Sequence, residues 1–120
     1  MDRRATGAAA ETVAREYLNG RGLQLLCENY RCRGGELDLV FVDGETLVVV
    51  EVRLRSSTCY GGAVQSIDFR KRRRIALATR HLLMTNPALQ RLRVRFDVVS
   101  FDASVACSSD LEWLRDAWVV

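Results

Sequence analysis

The chain has 120 residues, enough for one hydrophobic core and too few for two domains. Hydrophobic residues make up 48% and charged residues 28%, with a single proline, which excludes a disordered tail, a collagen-like fibre and a polyproline protein. The net charge is only +3, so no overall polyanion-binding or acidic character stands out before the charges are mapped. In chain order, residues 6–20 read as a first helix. Thr6 can cap it, Ala10, Val13, Ala14, Tyr17 and Leu18 recur at helical spacing, and Gly20 or Gly22 stops it. Residues 23–30 form a first, irregular strand. LDLVFV and TLVVVEVRL then flank Asp43-Gly44, the strongest short hairpin signal a sequence offers. A loop of small residues, SSTCYGGAVQS, leads to a second helix that Asp68 can cap and that Asn86-Pro87 ends after about Met84. VRFDVVSF is a further strand, and LEWLRDAW reads equally as a strand or a short helix. The order αβββαβ predicts one α/β domain over residues 1–120, a mixed sheet covered by helices, with a core at about 6–102 and a C-terminal extension at 103–120.

Chemistry first appears in the hairpin. With Asp43-Gly44 as a two-residue turn, cross-strand partners have numbers summing to 87: Val42 faces Glu45, Leu39 faces Val48 and Leu37 faces Val50. This register places Leu37, Leu39, Phe41, Val48, Val50 and Val52 on one apolar face. The other face carries Val40, Val42, Leu47 and Val49 near the turn, then Glu36, Asp38, Glu51 and Arg53. Glu36 falls opposite Glu51, and Asp38 is the diagonal neighbour of Glu51, about 7–8 Å away at the backbone, so their carboxylates can converge. Carboxylates gathered at the end of a buried sheet repel one another and resist desolvation, and they stay ionised together only beside a compensating cation. Arg53 supplies one charge, and a hard divalent ion with oxygen ligands can supply the rest. The plainer alternative is edge residues paired with arginines in water. The apolar runs on both sides favour the metal.

The four cysteines, Cys27, Cys32, Cys59 and Cys107, include no CxxC pair, and the single histidine, His81, is distant from all of them in sequence. Reduced thiols are expected, rather than a zinc site or a disulfide framework. No apolar run approaches the ~18 residues of a membrane span. The N-terminal MDRRATGAAAETV has no apolar segment after its arginines, so a cytoplasmic, membrane-free protein is expected. The small net charge hides an asymmetry: residues 53–95 carry eleven basic side chains and one acid, Asp68, for +10, and the remainder carries −7. Seventeen of the eighteen basic residues are arginine, whose planar fork suits phosphate. Arg70, Lys71, Arg72, Arg73 and Arg74 open the second helix, where phosphate contact is their natural role and a solvated face is the alternative. Tyr30 and Tyr60 could stack on unpaired bases, and Arg95 and Asp97 are expected to form structural pairs.

At GGELDLV, VVVEVRLR, CYGGAVQS and VRFDVV the chain resembles the YraN family of bacterial proteins. That family in turn is similar to the restriction-endonuclease-like PD-(D/E)xK nucleases, near the archaeal Holliday junction resolvases. The resemblance runs from about Gly7 to Asp102, with an echo in EWLRDAW, and it implies a restriction-endonuclease-like core. Asp38 matches the metal-binding aspartate and Glu51 the acid of the ExK element, while Glu11 looks like the acid such nucleases add from the first helix. Glu36 reads as a structural part of the GE(I/L)D block, and Gln65 stands where relatives have an acid or a small residue. Arg53 occupies the usual lysine position. Arginine stays protonated and cannot act as a general base near neutral pH, but it can orient an attacking water or stabilise transition-state charge. The implied activity is a DNA endonuclease, acting on branched or damaged DNA, with Mg²⁺ or Mn²⁺ on Asp38, Glu51 and Glu11 and with Arg53 beside them. A nucleic-acid-binding module without turnover is the alternative. DNA is the expected partner, and a homodimer is left open.

Overall fold

Ala10, Ala14 and Leu18 lie one turn apart, so a helix through them presents a single narrow apolar stripe, and all three are fully buried. In the computed structural model, which describes residues 3–55, 67–102 and 111–118, that helix is α1, Arg3–Gly20, with Val13 and Tyr17 half-buried at its margins. The chain turns back past left-handed Gly22 (φ +93°), with the Leu23 N–H returning to the Leu18 carbonyl at 3.2 Å. Strands β1 (Gln24–Cys32), β2 (Gly35–Asp43) and β3 (Thr46–Arg55) follow, then α2 (Phe69–Thr85), a single 3₁₀ turn at Pro87–Leu89, β4 (Arg93–Asp102) and β5 (Glu112–Trp118). The five strands form one sheet in sequence order. Pairing is antiparallel throughout except between β3 and β4, which run parallel because α2 carries the chain back across the sheet.

The result is an α/β fold with a mixed sheet flanked by two helices, as the element pattern predicts, and compatible with a restriction-endonuclease-like core. The segment LEWLRDAW is a strand, so the order is αβββαββ. Two cores lie on opposite faces of the sheet. Ala10, Ala14 and Leu18 of α1 pack with Leu39, Phe41, Val48, Val50, Val99 and Phe101. Ile75, Ala78 and Leu82 of α2 pack with Leu37, Val40, Leu47, Val49, Val98 and Trp118. Asp68 caps α2 as expected, its carboxylate accepting the Lys71 N–H at 2.9 Å. Among the described residues no helix is long and apolar enough to cross a membrane.

The hairpin register differs from the expected one. Asp43 pairs with Thr46, Val42 with Leu47 and Leu39 with Val50, so partner numbers sum to 89. The turn residues are Gly44 and Glu45, with the left-handed φ on Gly44 (+60°), the first central position, as a type II′ turn requires. A slip of two residues leaves every side chain on its own face, which is why the apolar pattern alone accepts either register. A second difference is local. Leu37 packs on the α2 side, not with Leu39 and Phe41. Strict alternation fails at Asp38, where the β2–β3 ladder has ended at Leu39–Val50 and left-handed Asn29 (φ +52°) lies across on β1.

Buried Asp97 organises the far side of the sheet. Its carboxylate accepts the Arg95 Nε–H (2.9 Å) and Nη2–H (3.0 Å), the Trp113 indole N–H (2.9 Å) and the Asp116 backbone N–H (2.9 Å). The expected structural pairing of Arg95 with Asp97 is thus part of the joint that ties β5 to β4. Cys27 and Cys32 are free and half-buried, and burial pushes the Cys27 thiol up. Cys59, Tyr60, Gln65, Cys107 and the small-residue loop lie outside the described residues.

Helix α2 approaches β2 without an intervening side-chain layer at Gly35. A Cβ built there would stand 2.3 Å from the Arg74 carbonyl oxygen and 3.0 Å from the Ala78 Cβ. Gly35→Ala should therefore cost about 2 kcal/mol as the helix is forced off the sheet, which urea denaturation would show as a lowered midpoint at constant m-value. An unchanged midpoint would mean that the helix shifts freely.

Candidate active site

The site is assembled where the ladder between β2 and β3 stops. One step beyond the last pair, Leu39–Val50, stand Asp38 and Glu51. Each takes a backbone amide of the opposite strand. The Asp38 N–H donates to Glu51 Oε2 (3.3 Å), and the Val52 N–H donates to Asp38 Oδ2 (2.9 Å). Arg53 bridges the pair, with Nη2 at 3.3 Å from Glu51 Oε1 and Nη1 at 3.8 Å from Asp38 Oδ2. Its Nη1 also donates to the Val52 carbonyl (3.1 Å), which fixes the guanidinium against the strand. Glu51 is 1% exposed and Asp38 9%.

A cavity of about 210 Å³ opens beside them, lined by Ala10, Glu11, Asp38, Val52, Arg53 and Leu54. Glu11 reaches it from α1, half-buried, where the nearby Asn29 side chain favours its ionised form. Desolvation dominates the electrostatics. Burial raises Asp38, with the Val52 amide and Arg53 only partly offsetting it. Burial and then the Asp38 charge raise Glu51 to about 8, against the pull of Arg53. Glu11 is raised by burial and then by Asp38. Lys71, in the first turn of α2, lowers both Asp38 and Glu51 by its charge.

Of the residues singled out from sequence, the structure brings Asp38, Glu51, Arg53 and Glu11 to one place. Glu36 does not line the cavity but is exposed and paired with Arg31 at 3.3 Å, near enough for its charge to raise Asp38 and Glu11 slightly. In the basic run, Arg70, Lys71, Arg73 and Arg74 are exposed. Arg72 is half-buried, donating through Nε to the Ile67 carbonyl (3.0 Å) with its guanidinium over Trp118. Tyr30 is hydrogen-bonded to His81 and half-buried against the α2 core. Asn29 and Phe69 were not singled out. An asparagine inside a strand run is the available signal for the first, since it tolerates left-handed backbone. A phenylalanine next to a helix cap reads as core, and nothing in the pattern announces its exposure.

The donor set fits a hard divalent ion as an open site. Buried carboxylates whose acidity is suppressed by desolvation first and by neighbouring negative charge second are groups that a second cation would relieve. Among the described residues no three His, Cys, Asp or Glu side chains lie together so as to hold a metal ion, so the carboxylates of this site supply two ligands at most. Magnesium does not need a third, because it is commonly held by one or two carboxylates together with water and substrate phosphate.

Comparison with known sequences agrees with the resemblance read from the hairpin and its neighbours. A UPF0102 protein of Pseudomonas putida (strain GB-1) is 50% identical over 112 residues, covering 93% of this chain and 91% of that protein. A UPF0102 protein of Xanthomonas campestris pv. campestris (strain B100) is 47% identical over 116 residues, covering 97% and 93%. One from Ectopseudomonas mendocina (strain ymp) is 43% identical over 112 residues, covering 93% and 92%. Residues 10–101, which contain Glu11, Asp38, Glu51, Arg53 and the whole basic run, match the profile of the uncharacterised protein family UPF0102, and the chain belongs to that family, also called YraN.

Proposed function

We propose that this chain is a metal-dependent DNA endonuclease whose site is Asp38, Glu51, Arg53 and Glu11. The observation that supports this most is the buried Asp38–Glu51 pair, held by exchanged backbone amides beside a cavity that Glu11 and Arg53 also line. Asp38 and Glu51 would hold Mg²⁺ or Mn²⁺, with Glu11 of α1 facing the same cavity rather than completing the ligand set. When bound, the ion supplies a Lewis acid for the scissile phosphate and lowers the pKa of the attacking water. Arg53 carries a permanent charge fixed at the cavity wall, where it can neutralise the anionic transition state but cannot accept a proton. The exposed cations of α2 would bind flanking phosphates and orient the strand.

A second reading is favoured by one observation. Arg53 already pairs with both carboxylates, so the site has an internal counter-charge and the protein can bind nucleic acid without turnover. Linear, flapped and four-way DNAs incubated with Mg²⁺ and with Mn²⁺ separate the two. Cleavage by wild type is expected, and Asp38→Asn should lower it at least about a hundredfold, since a metal ligand supports several kcal/mol of transition-state stabilisation. DNA binding that persists with no cleavage of any form in either metal selects the binding module.

A further inference from the structure

Helix α2 also exposes an apolar and cationic stripe that does not line the carboxylate cavity. Phe69, Arg70, Arg73, Arg74 and Leu77 line a depression of about 300 Å³. Phe69 is 75% exposed and Leu77 47%. A phenylalanine ring left so far in water forfeits most of its burial free energy, and in the first turn of an amphipathic helix the core face was within reach. The Arg73 guanidinium lies 6.0 Å from the centre of that ring. No acid lines the depression, and among the described residues Arg70, Arg73 and Arg74 enter no salt bridge.

We propose that this stripe takes an unpaired nucleobase on Phe69 and its flanking phosphates on Arg70, Arg73 and Arg74, so that the chain selects nucleic acid with a single-stranded segment. The proposal rests on the reading of the neighbouring site as one for nucleic acid. The chemistry on the surface matches one occupant. Clustered guanidinium groups repel one another and are relieved by a polyanion, while an exposed aromatic face among them gives a base a stacking partner. A duplex offers the phosphates but keeps its bases in the stack, so Phe69 would gain nothing from it. Placement connects the stripe to the carboxylates. Leu77 lies against Gly34 and the Arg74 carbonyl against Gly35, at the start of the strand that carries Asp38, and Lys71 of the same helical turn acts on Asp38 and Glu51.

The test is fluorescence anisotropy with the full chain in EDTA, using labelled oligothymidylate of about twelve nucleotides, within the span of a small single-strand-binding domain, and a duplex of equal length. Wild type should prefer the single strand. Phe69→Ala should weaken single-strand binding about tenfold, the effect of one lost base stack, while leaving duplex affinity and the salt dependence unchanged. Phe69→Trp should restore it. Circular dichroism checks that helix content is retained, as the exposed position predicts. The proposal is overturned if wild type shows no preference for the single strand, if Phe69→Ala binds it like wild type, or if single-strand and duplex affinity fall together. EDTA removes catalysis from the measurement. Failure to cleave with the single-strand preference intact therefore overturns the nuclease reading alone.

Discussion

Wild-type protein should lose stability as the pH rises from about 4.5 to about 8, and Glu51→Gln should remove most of that slope. The Glu51 carboxyl is raised from 4.5 to about 8 in the fold, first by burial and then by Asp38. Below pH 4.5 it is protonated in both states and imposes no penalty. Between 4.5 and 8 the unfolded chain releases the proton while the folded chain keeps it, so the native state binds more protons and unfolding becomes easier with each unit of pH. Above 8 both states are ionised and the slope ends. The full span corresponds to a ceiling of about 5 kcal/mol. Denaturant unfolding of wild type and Glu51→Gln across this range measures it as the difference between two curves, which cancels the titration of groups that do not interact with Glu51 and reports the Asp38–Glu51 pair together. Parallel curves would show that Glu51 ionises in the fold as easily as in water. Mg²⁺ should stabilise wild type more at pH 8 than at pH 4.5, because only the ionised pair attracts it.

Asp97→Ala should cost about 3 kcal/mol or more, the penalty for removing one partner of a buried, hydrogen-bonded charge pair. Four donors converge on this one side chain, from Arg95, Trp113 and the backbone of Asp116. Truncation leaves all of them without that acceptor at once. Asp97→Asn keeps the shape and one acceptor, and should fall between alanine and wild type. Because two of the donors come from β5, Trp113 fluorescence should report detachment of β5 before global unfolding. If Asp97→Ala unfolds at the wild-type denaturant midpoint, the joint contributes nothing net and β5 is held by its ladder alone.

The sequence made some features legible and hid others for identifiable reasons. Apolar residues at helical spacing, a capping Asp68 and the Asn86-Pro87 stop locate both helices, because each is a local signal. The hairpin is equally local, and its faces follow from alternation. Its register is not, since a slip of two residues changes no side chain's environment in the pattern and is decided by which pair of residues makes the turn. Asp38 and Glu51 could be placed at the same end of the hairpin. Their exchange of backbone amides could not be, because it depends on the ladder ending at Leu39–Val50. Leu37 changed sides for the same reason. Glu36 reads from the sequence as structural, and Arg31, its cross-strand partner on β1, holds it at the surface. LEWLRDAW carried no decisive period, and its strand is imposed from outside by Asp97 on β4.

The meeting of Gly35 with the Arg74 carbonyl fixes how far α2 stands from β2. Most helices rest on a sheet through interlocking side chains, a cushion whose thickness changes whenever a rotamer changes. Here one point of that cushion is missing, and main chain abuts main chain. Three residues along the same strand sits Asp38, and around the same turn of the helix project Arg70, Lys71, Arg73 and Arg74. The gap between the cationic surface and the carboxylates is thus set by backbone, the stiffest part of a protein. If the proposed reading holds, a polyanion laid along the helix would present the same position of its chain to the carboxylates each time it bound.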